Sequence, residues 1–91
     1  MNYFRVDITF INYEGKNTLV RKGNKAESID LESAKDSLVQ ELTELAIVSN
    51  LNNPLDNSTT DVIDMTEEEY LLMFPLIIYD EQALEDELNN E

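Results

Sequence analysis

The sequence predicts a small α+β protein in which a single domain, residues 1–91, has an N-terminal β-hairpin packed by two or three helices. Three patterns predict this fold: apolar residues alternate at the start, recur every three or four positions in the middle, and do so again near the end. Since 42% of the 91 residues are hydrophobic, the chain can bury roughly 60% of its unfolded surface. A packed core is therefore expected.

The first strand is predicted for residues 2–12, because apolar side chains occupy every second position: Phe4, Val6, Ile8 and Phe10. A tight turn is expected at Glu14-Gly15, where glycine tolerates a positive φ. A second strand over 17–22 then completes a hairpin, and Gly23 is expected to end it.

A helix is predicted for residues 31–48, because its apolar residues are spaced by three and four: Leu31, Ala34, Leu38, Leu42 and Leu45. Asp30 is the predicted N-cap, and Ile29 is expected to pack against Ala34 as a hydrophobic staple. Residues 51–58 are rich in turn formers and include Pro54, so they are predicted to form a loop.

The remaining chain is predicted to contain shorter elements. Residues 62–63 suggest a brief strand, and Thr66 with Glu69 forms a capping-box pattern that opens a helix over 67–74. Pro75 leaves residues 75–79 open between a strand and a kinked continuation of that helix. A last helix is expected after Asp80, with the apolar positions Tyr79, Ala83, Leu84 and Leu88.

Charge is distributed very unevenly along the chain. The net charge is −14, and all six basic residues lie within residues 1–35, where five acids leave a net charge of +1. Residues 36–91 contain 15 acids and no base, for a net charge of −15. A protein of this charge is repelled by nucleic acid and by anionic membranes. Its natural partner is expected to be a basic protein.

The chain contains no histidine, cysteine or tryptophan. It therefore lacks the usual general base, the usual thiol nucleophile and the usual ligands for transition metals. We expect no enzyme activity, no cofactor and no metal. The absence of cysteine fits a reducing compartment, and the longest apolar stretch, residues 70–79, is too short to span a bilayer. These features predict a cytoplasmic protein.

The acidic residues are the candidate partner-binding groups. Carboxylates one helical turn apart are separated by about 6 Å, near the spacing of successive phosphates along a DNA strand. The plainer interpretation is a solvated surface that keeps the protein soluble, but such a surface normally mixes both signs. The candidate residues are Asp36, Glu41, Glu44, Asp61, Asp64, Glu67, Glu68, Glu69, Asp80, Glu81, Glu85, Asp86, Glu87 and Glu91.

In size, charge and element order the chain resembles the DNA-mimic inhibitors of bacteriophages. With its opening hairpin, Tyr3 to Phe10, and its acidic end, Asp80 to Glu87, it looks most like the anti-restriction-endonuclease protein of T-even phages. The resemblance implies that the target is a host restriction nuclease that cuts modified DNA, with a nucleoid protein as a second partner. It also implies action in the host cytoplasm. Small acidic anti-CRISPR proteins, which would act on a CRISPR effector, share the same traits.

Two other interpretations compete with mimicry. The apolar run 71–79 is the expected interface if the chain is instead an adaptor domain, and a homodimer stays open. Residues 56–67 approach the pattern of a calcium loop, with Glu67 at position 12, but Asp61 occupies the position that needs glycine. A turn-rich connection into a capped helix is the preferred prediction there.

The clustering of acids also predicts a stability effect. Repulsion within Glu67, Glu68 and Glu69, and within residues 80–87, should raise the folded pKa values of these carboxyl groups. Mild acid or added salt is then expected to increase the melting temperature.

Overall fold

The computed structural model describes residues 1–72 in full and the backbone of residues 76–79. Within these residues, four strands, two α-helices and one 3-10 turn follow one another. In order they are β1 (Asn2–Ile11), β2 (Asn17–Ala26), the 3-10 turn (Ser28–Asp30), α1 (Leu31–Ser49), β3 (Asp56–Met65), α2 (Glu67–Leu71) and β4 (Leu76–Tyr79).

The four strands form one antiparallel sheet in the order β3-β1-β2-β4. The two central strands, β1 and β2, are the predicted hairpin. In the register of the sheet, Asp7 on β1 lies between Arg21 on β2 and Asp61 on β3. The α+β fold class is thus confirmed, with β1 at the centre of the sheet.

The core lies between one face of the sheet and α1. The four apolar residues of β1 that were predicted to share a face are all buried, at most 3% exposed, and they pack with Leu38, Leu42 and Ala46 of α1. Each large side chain buried in this way stabilises the fold by about 1.5–3 kcal/mol. The period-two and period-3.6 patterns therefore identified the two surfaces that form the core.

Two strand predictions were too short. β2 continues past Gly23, which is buried within the strand opposite Arg5, so glycine does not end it. β3 occupies residues 56–65, where the sequence predicted a loop to residue 58 and a strand over 62–63 only. Because β3 is an edge strand with exposed faces, most of its side chains are polar and carry no hydrophobic period.

The first ten positions of the pattern that approaches a calcium loop, residues 56–65, form this same strand. An extended chain advances about 3.3 Å per residue, so the donor positions at Asp56, Ser58 and Asp64 are spread along β3 instead of surrounding one point. The pairing of β3 with β1 shifts register once. Thr9 and Ile11 of β1 pair with Thr59 and Asp56, so β3 has one extra residue there, and Asn57 in this bulge takes a positive φ of 51°.

The helix ends differ in how well they follow the sequence. α1 starts at Leu31 and Asp30 is its N-cap residue, as predicted, but the Asp30 side chain makes no capping hydrogen bond. Ile29 is 89% exposed, so the predicted staple is wrong. A 3-10 turn over 28–30 leads into the helix instead. The Thr66–Glu69 capping box is confirmed, and α2 ends at Leu71.

The alternative left open around Pro75 has a partial answer. Residues 76–79 form strand β4, which pairs with β2, so the strand is favoured over a kinked helix. The predicted helix after Asp80 lies outside the described residues. Within the part of the chain that is described, no helix is long and apolar enough to cross a membrane.

Candidate acidic interface

The outer side of α1 has a row of exposed polar side chains spaced four residues apart. Glu32, Asp36, Gln40 and Glu44 are all exposed, and each lies about one turn further along the helix than the last and about 40° further around it. Successive members are about 6 Å apart, so Asp36 and Glu44 are about 12 Å apart. We refer to these four residues as the α1 stripe.

Sequence reasoning selected Asp36 and Glu44 but omitted Glu32. Glu32 was counted with the nearly neutral first 35 residues, although its four-residue spacing from Asp36 was a usable signal. Asp56, exposed at the start of β3, was also omitted from the candidate residues. No regular spacing pointed to Asp56, because the segment that contains it was predicted to be a loop and not a strand.

A second group of acids lies on β3 and α2. Asp61 and Asp64 are both exposed but three residues apart on a strand, so they lie on opposite faces of the sheet. Glu67, Glu68 and Glu69 form the first turn of α2, where the exposed N–H groups of the helix favour negative charge. These five candidates therefore lie along the second half of β3 and in the turn of helix that follows it, and they do not share a single face.

Two of the candidate acids are held by lysines of the first 35 residues. Lys22 Nζ on β2 contacts Glu41 Oε1 of α1 at 3.1 Å, and Lys35 Nζ of α1 contacts Asp64 Oδ1 of β3 at 3.1 Å. In both pairs the lysine is the more buried partner: the side chains are 29% and 19% exposed for the lysines, against 58% and 81% for Glu41 and Asp64. Each pair thus presents its carboxylate to solvent.

Two arginines are held on the face of the sheet opposite α1. Asp7, which is 8% exposed, accepts two hydrogen bonds from Arg21, from Nε at 2.8 Å and from the terminal nitrogen at 3.1 Å. Arg5 Nε lies 3.4 Å from the same carboxylate. This cluster holds two of the six positive charges at the sheet, on a carboxylate that was not among the candidates.

Glu69 has a structural role that the charge analysis missed. Its Oε1 accepts a hydrogen bond from the Thr66 backbone N–H, and the Thr66 hydroxyl accepts one from the Glu69 N–H, both at 3.1 Å. The bond from the Thr66 backbone, aided by the Thr66 side chain, lowers the pKa of Glu69 from its ordinary value of 4.5. The prediction that repulsion raises this pKa is therefore wrong.

The structure thus divides the candidates into three sets. Asp36, Glu44, Asp61, Glu67 and Glu68 are exposed and make no ion pair within the described residues. Glu41, Asp64 and Glu69 have internal partners. The predicted residues outside the described part of the chain are Asp80, Glu81, Glu85, Asp86, Glu87 and Glu91.

The described residues offer little to a metal ion. Among them, no three His, Cys, Asp or Glu side chains converge in a way that would hold a cation.

Comparison with known proteins gives no relative. No protein-family model, no curated protein and no solved structure matches this chain. The resemblance to phage DNA mimics therefore stays a prediction from size, charge and element order.

Proposed function

We propose that this protein is a DNA-mimic inhibitor, which occupies the basic DNA-binding groove of a host protein through its acidic surface. The proposed target is a restriction nuclease that cuts modified DNA, with a nucleoid protein as a second partner, and the proposed site of action is the host cytoplasm. An anti-CRISPR inhibitor would use the same surface against a CRISPR effector.

The observation that carries the proposal is the placement of the basic residues. Arg5 and Arg21 are held by Asp7 on the sheet, while Lys22 and Lys35 are the less exposed ends of pairs whose carboxylates face solvent. Four of the six positive charges are thus drawn inward, and the field around the molecule is dominated by carboxylates. A field of one sign speeds encounter with an oppositely charged groove.

The spacing of the α1 stripe supports the same proposal. Carboxylates at Glu32 and Asp36 are about 6 Å apart, and Asp36 and Glu44 are about 12 Å apart, close to one and two phosphate steps along a strand. Gln40 leaves one step uncharged. An arginine or lysine of a DNA groove can therefore bind these carboxylates at nearly the positions where it binds phosphates.

The test is displacement of DNA from a purified restriction endonuclease specific for modified DNA. A fluorescent duplex containing the recognition site is bound to the nuclease and then titrated with this protein. We expect competition for one shared site. The double variant Asp36→Asn/Glu44→Gln should compete about tenfold less well, because it loses two contact charges without touching an ion pair or the core.

The matched control is Glu14→Gln/Glu27→Gln, which removes the same two charges at exposed positions outside the α1 stripe. It should compete nearly as well as the parent protein. If both double variants weaken equally, only total charge matters and mimicry by the stripe is wrong. If protein and DNA bind the nuclease together, competition for the groove is wrong. The variant Glu85→Gln/Asp86→Asn/Glu87→Gln tests the C-terminal acids in the same assay.

A second candidate function rests on a different observation. Leu71 and Leu72 at the end of α2 are 70% and 89% exposed, at the start of the apolar run 71–79. Contiguous exposed apolar residues are typical of a protein interface, which favours the adaptor alternative. The variant Leu71→Ser/Leu72→Ser should leave DNA displacement unchanged if the protein is a mimic, and should abolish partner binding if it is an adaptor.

A further inference from the structure

The outer edge of β3 is open within the described part of the chain. β3 is the end strand of the sheet, and there it pairs on one side only, with β1. Its side chains are exposed from Asp56 to Val62, with Ile63 half-buried. The edge is long, at ten residues, and its bulge near Asn57 leaves the part from Thr59 onward regular. An open edge of this kind is a template for another strand.

The hairpin geometry identifies the backbone groups that face outward. The Asn12 N–H donates to the Lys16 carbonyl at 2.9 Å, so even-numbered residues of β1 bond to β2 and odd-numbered residues bond to β3. In the register of β1 with β3, Arg5 lies opposite Ile63, so odd-numbered residues of β3 bond back to β1. The N–H and C=O groups that point away from the sheet belong to Thr60, Val62 and Asp64.

The side of β3 that faces α1 is not covered by the helix. α1 lies over β1 and β2, and Val62 is 43% exposed. The Lys35–Asp64 ion pair marks the flank of α1 that is turned toward β3. At 100° per residue, Glu32 lies about 60° and Asp36 about 100° around the helix from Lys35, between this flank and the outer side of α1. A strand added at the edge would therefore run beside these carboxylates, and beside Asp61 on its other face.

The charges on the edge exclude a second copy of this chain as the occupant. An antiparallel pairing of two β3 strands centred on Val62 or Ile63 brings the aspartates of the two copies opposite or diagonal to each other. Like charges at these distances destabilise a strand pair. Each copy also has a net charge of −14. The occupant that the edge fits is a basic one.

We propose that the outer edge of β3 binds an extended segment of a partner protein with Lys or Arg at alternate positions, which adds to the sheet as a fifth strand. The outward backbone groups of Thr60, Val62 and Asp64 supply the main-chain hydrogen bonds, and Glu32 and Asp36, on the side of the sheet that carries α1, supply the charge complementarity. Strand addition at this edge requires only its open backbone groups and its charges, and it does not require inhibition of a DNA-binding protein.

The probe is a peptide of the same length as β3 in which Lys alternates with Thr, added to isotope-labelled protein. Amide hydrogen exchange is followed residue by residue. We expect slower exchange at Thr60, Val62 and Asp64 when the peptide is present. The amides of Asp61 and Ile63 are bonded to β1 and should change little. This alternation distinguishes strand addition from general electrostatic attraction to the acidic surface.

Two methylated peptides separate hydrogen bonding from charge. The two peptides have the same sequence as the parent peptide. One is methylated on the backbone nitrogens of its lysines and the other on those of its threonines, so each loses the N–H donors along one of its two edges. One of them should bind about tenfold more weakly than the parent peptide, the equivalent of about two lost hydrogen bonds, and the other should bind as the parent does. Equal binding by all three peptides would overturn the proposal.

A pair of protein variants completes the test. Val62→Pro removes one outward N–H from an edge strand, a position where proline is tolerated, and Val62→Ala removes the side chain but keeps the N–H. Peptide binding should weaken about threefold in the first, the equivalent of about one lost hydrogen bond, and should be kept in the second. Slow exchange at Thr60, Val62 and Asp64 without peptide would show an edge already occupied, by this chain or by a second copy, and would overturn the proposal. Absence of peptide binding to the parent protein would do the same.

Discussion

A single buried amide connects three parts of the chain. Asn50, at the end of α1, is 1% exposed, and its Oδ1 accepts a hydrogen bond from the Tyr13 N–H in the hairpin turn at 2.8 Å. Its Nδ2 donates to the carbonyls of Asn53 and Pro54, both at 3.3 Å. The side chain thus joins the β1–β2 turn, the end of the helix and the connection to β3.

Replacement of this residue should be costly. Asn50→Ala leaves the Tyr13 N–H and two carbonyls without their partner in a part-buried position, so we expect the free energy of unfolding to fall by about 2–3 kcal/mol. Denaturation in urea, followed by circular dichroism, measures the change. Asn53→Ala is the matched control: it removes a bond from an exposed residue to the Asn50 carbonyl and should cost about 1 kcal/mol or less. Equal losses in the two variants would contradict the role of Asn50.

Residues such as Asn50 were not identified from the sequence, for a physical reason. Asn50 lies in a run of polar turn formers, where any of several asparagines has the chemistry to bond to nearby backbone. Only the fold determines which one becomes buried. The next two residues, Leu51 and Asn52, have φ values of 54° and 61°. Leucine in this region is strained, and no local sequence pattern indicates it.

At the scale of whole elements, α2 begins with a network of hydrogen bonds that depends on pH. The Thr66 backbone N–H donates to the Glu69 carboxylate and lowers the pKa of that group below 4.5. Since the folded pKa is depressed, the stabilisation is present above the unfolded value. It is lost as pH falls from about 4.5 through the folded pKa. The first turn of α2 should therefore weaken in acid.

A side-chain titration of Glu69 by NMR checks this prediction. The midpoint should lie below 4.5, and in Thr66→Ala it should move only part of the way up, because the backbone N–H of residue 66 remains. Helical chemical shifts of α2 should decrease over the same pH range. A midpoint above 4.5 in the parent protein would mean that repulsion within Glu67, Glu68 and Glu69 outweighs the hydrogen bonds.

The elements that could be predicted are those that bury a complete face. β1 and α1 each place a regular set of apolar residues in the core, and their periods gave both elements within one residue of the observed ends. β3 has no such period, because it lies at the edge of the sheet and most of its side chains face solvent. Its membership in the sheet depends on backbone pairing with β1, which leaves no trace in side-chain chemistry.

The candidate interface was likewise only partly predictable from the sequence. Composition was sufficient to select the acidic surface, and helical spacing was sufficient to place Asp36 and Glu44 about two turns apart on the outer side of α1. Neither composition nor spacing could identify Glu41, Asp64 and Glu69 as residues with internal partners. Their contacts join α1 to the strands or close the cap of α2, and both depend on the fold. Long-range pairing determines which charges remain available to a partner.

At the scale of the whole molecule, the excess of negative charge should affect the free protein and its complex in opposite ways. Repulsion among the carboxylates opposes folding at a net charge of −14, and salt screens it, since the Debye length falls from roughly 14 Å at 50 mM to about 4 Å at 500 mM. The lysine pairs are partly exposed and contribute little that salt can remove.

We therefore expect the melting temperature to rise between 50 and 500 mM salt. If screening increases the free energy of unfolding by about 1 kcal/mol, the melting temperature of a domain of this size rises by about 4–8 °C. Affinity for a basic groove should fall steeply over the same range, because the attraction that drives binding is screened as well. Thermal melting, followed by circular dichroism, measures how stability changes with salt. DNA displacement in the same buffers measures how affinity changes. A melting temperature that falls with salt would mean that favourable ion pairs dominate the stability of the fold. An affinity that is unchanged by salt would mean that the partner binds an apolar surface instead of the carboxylates.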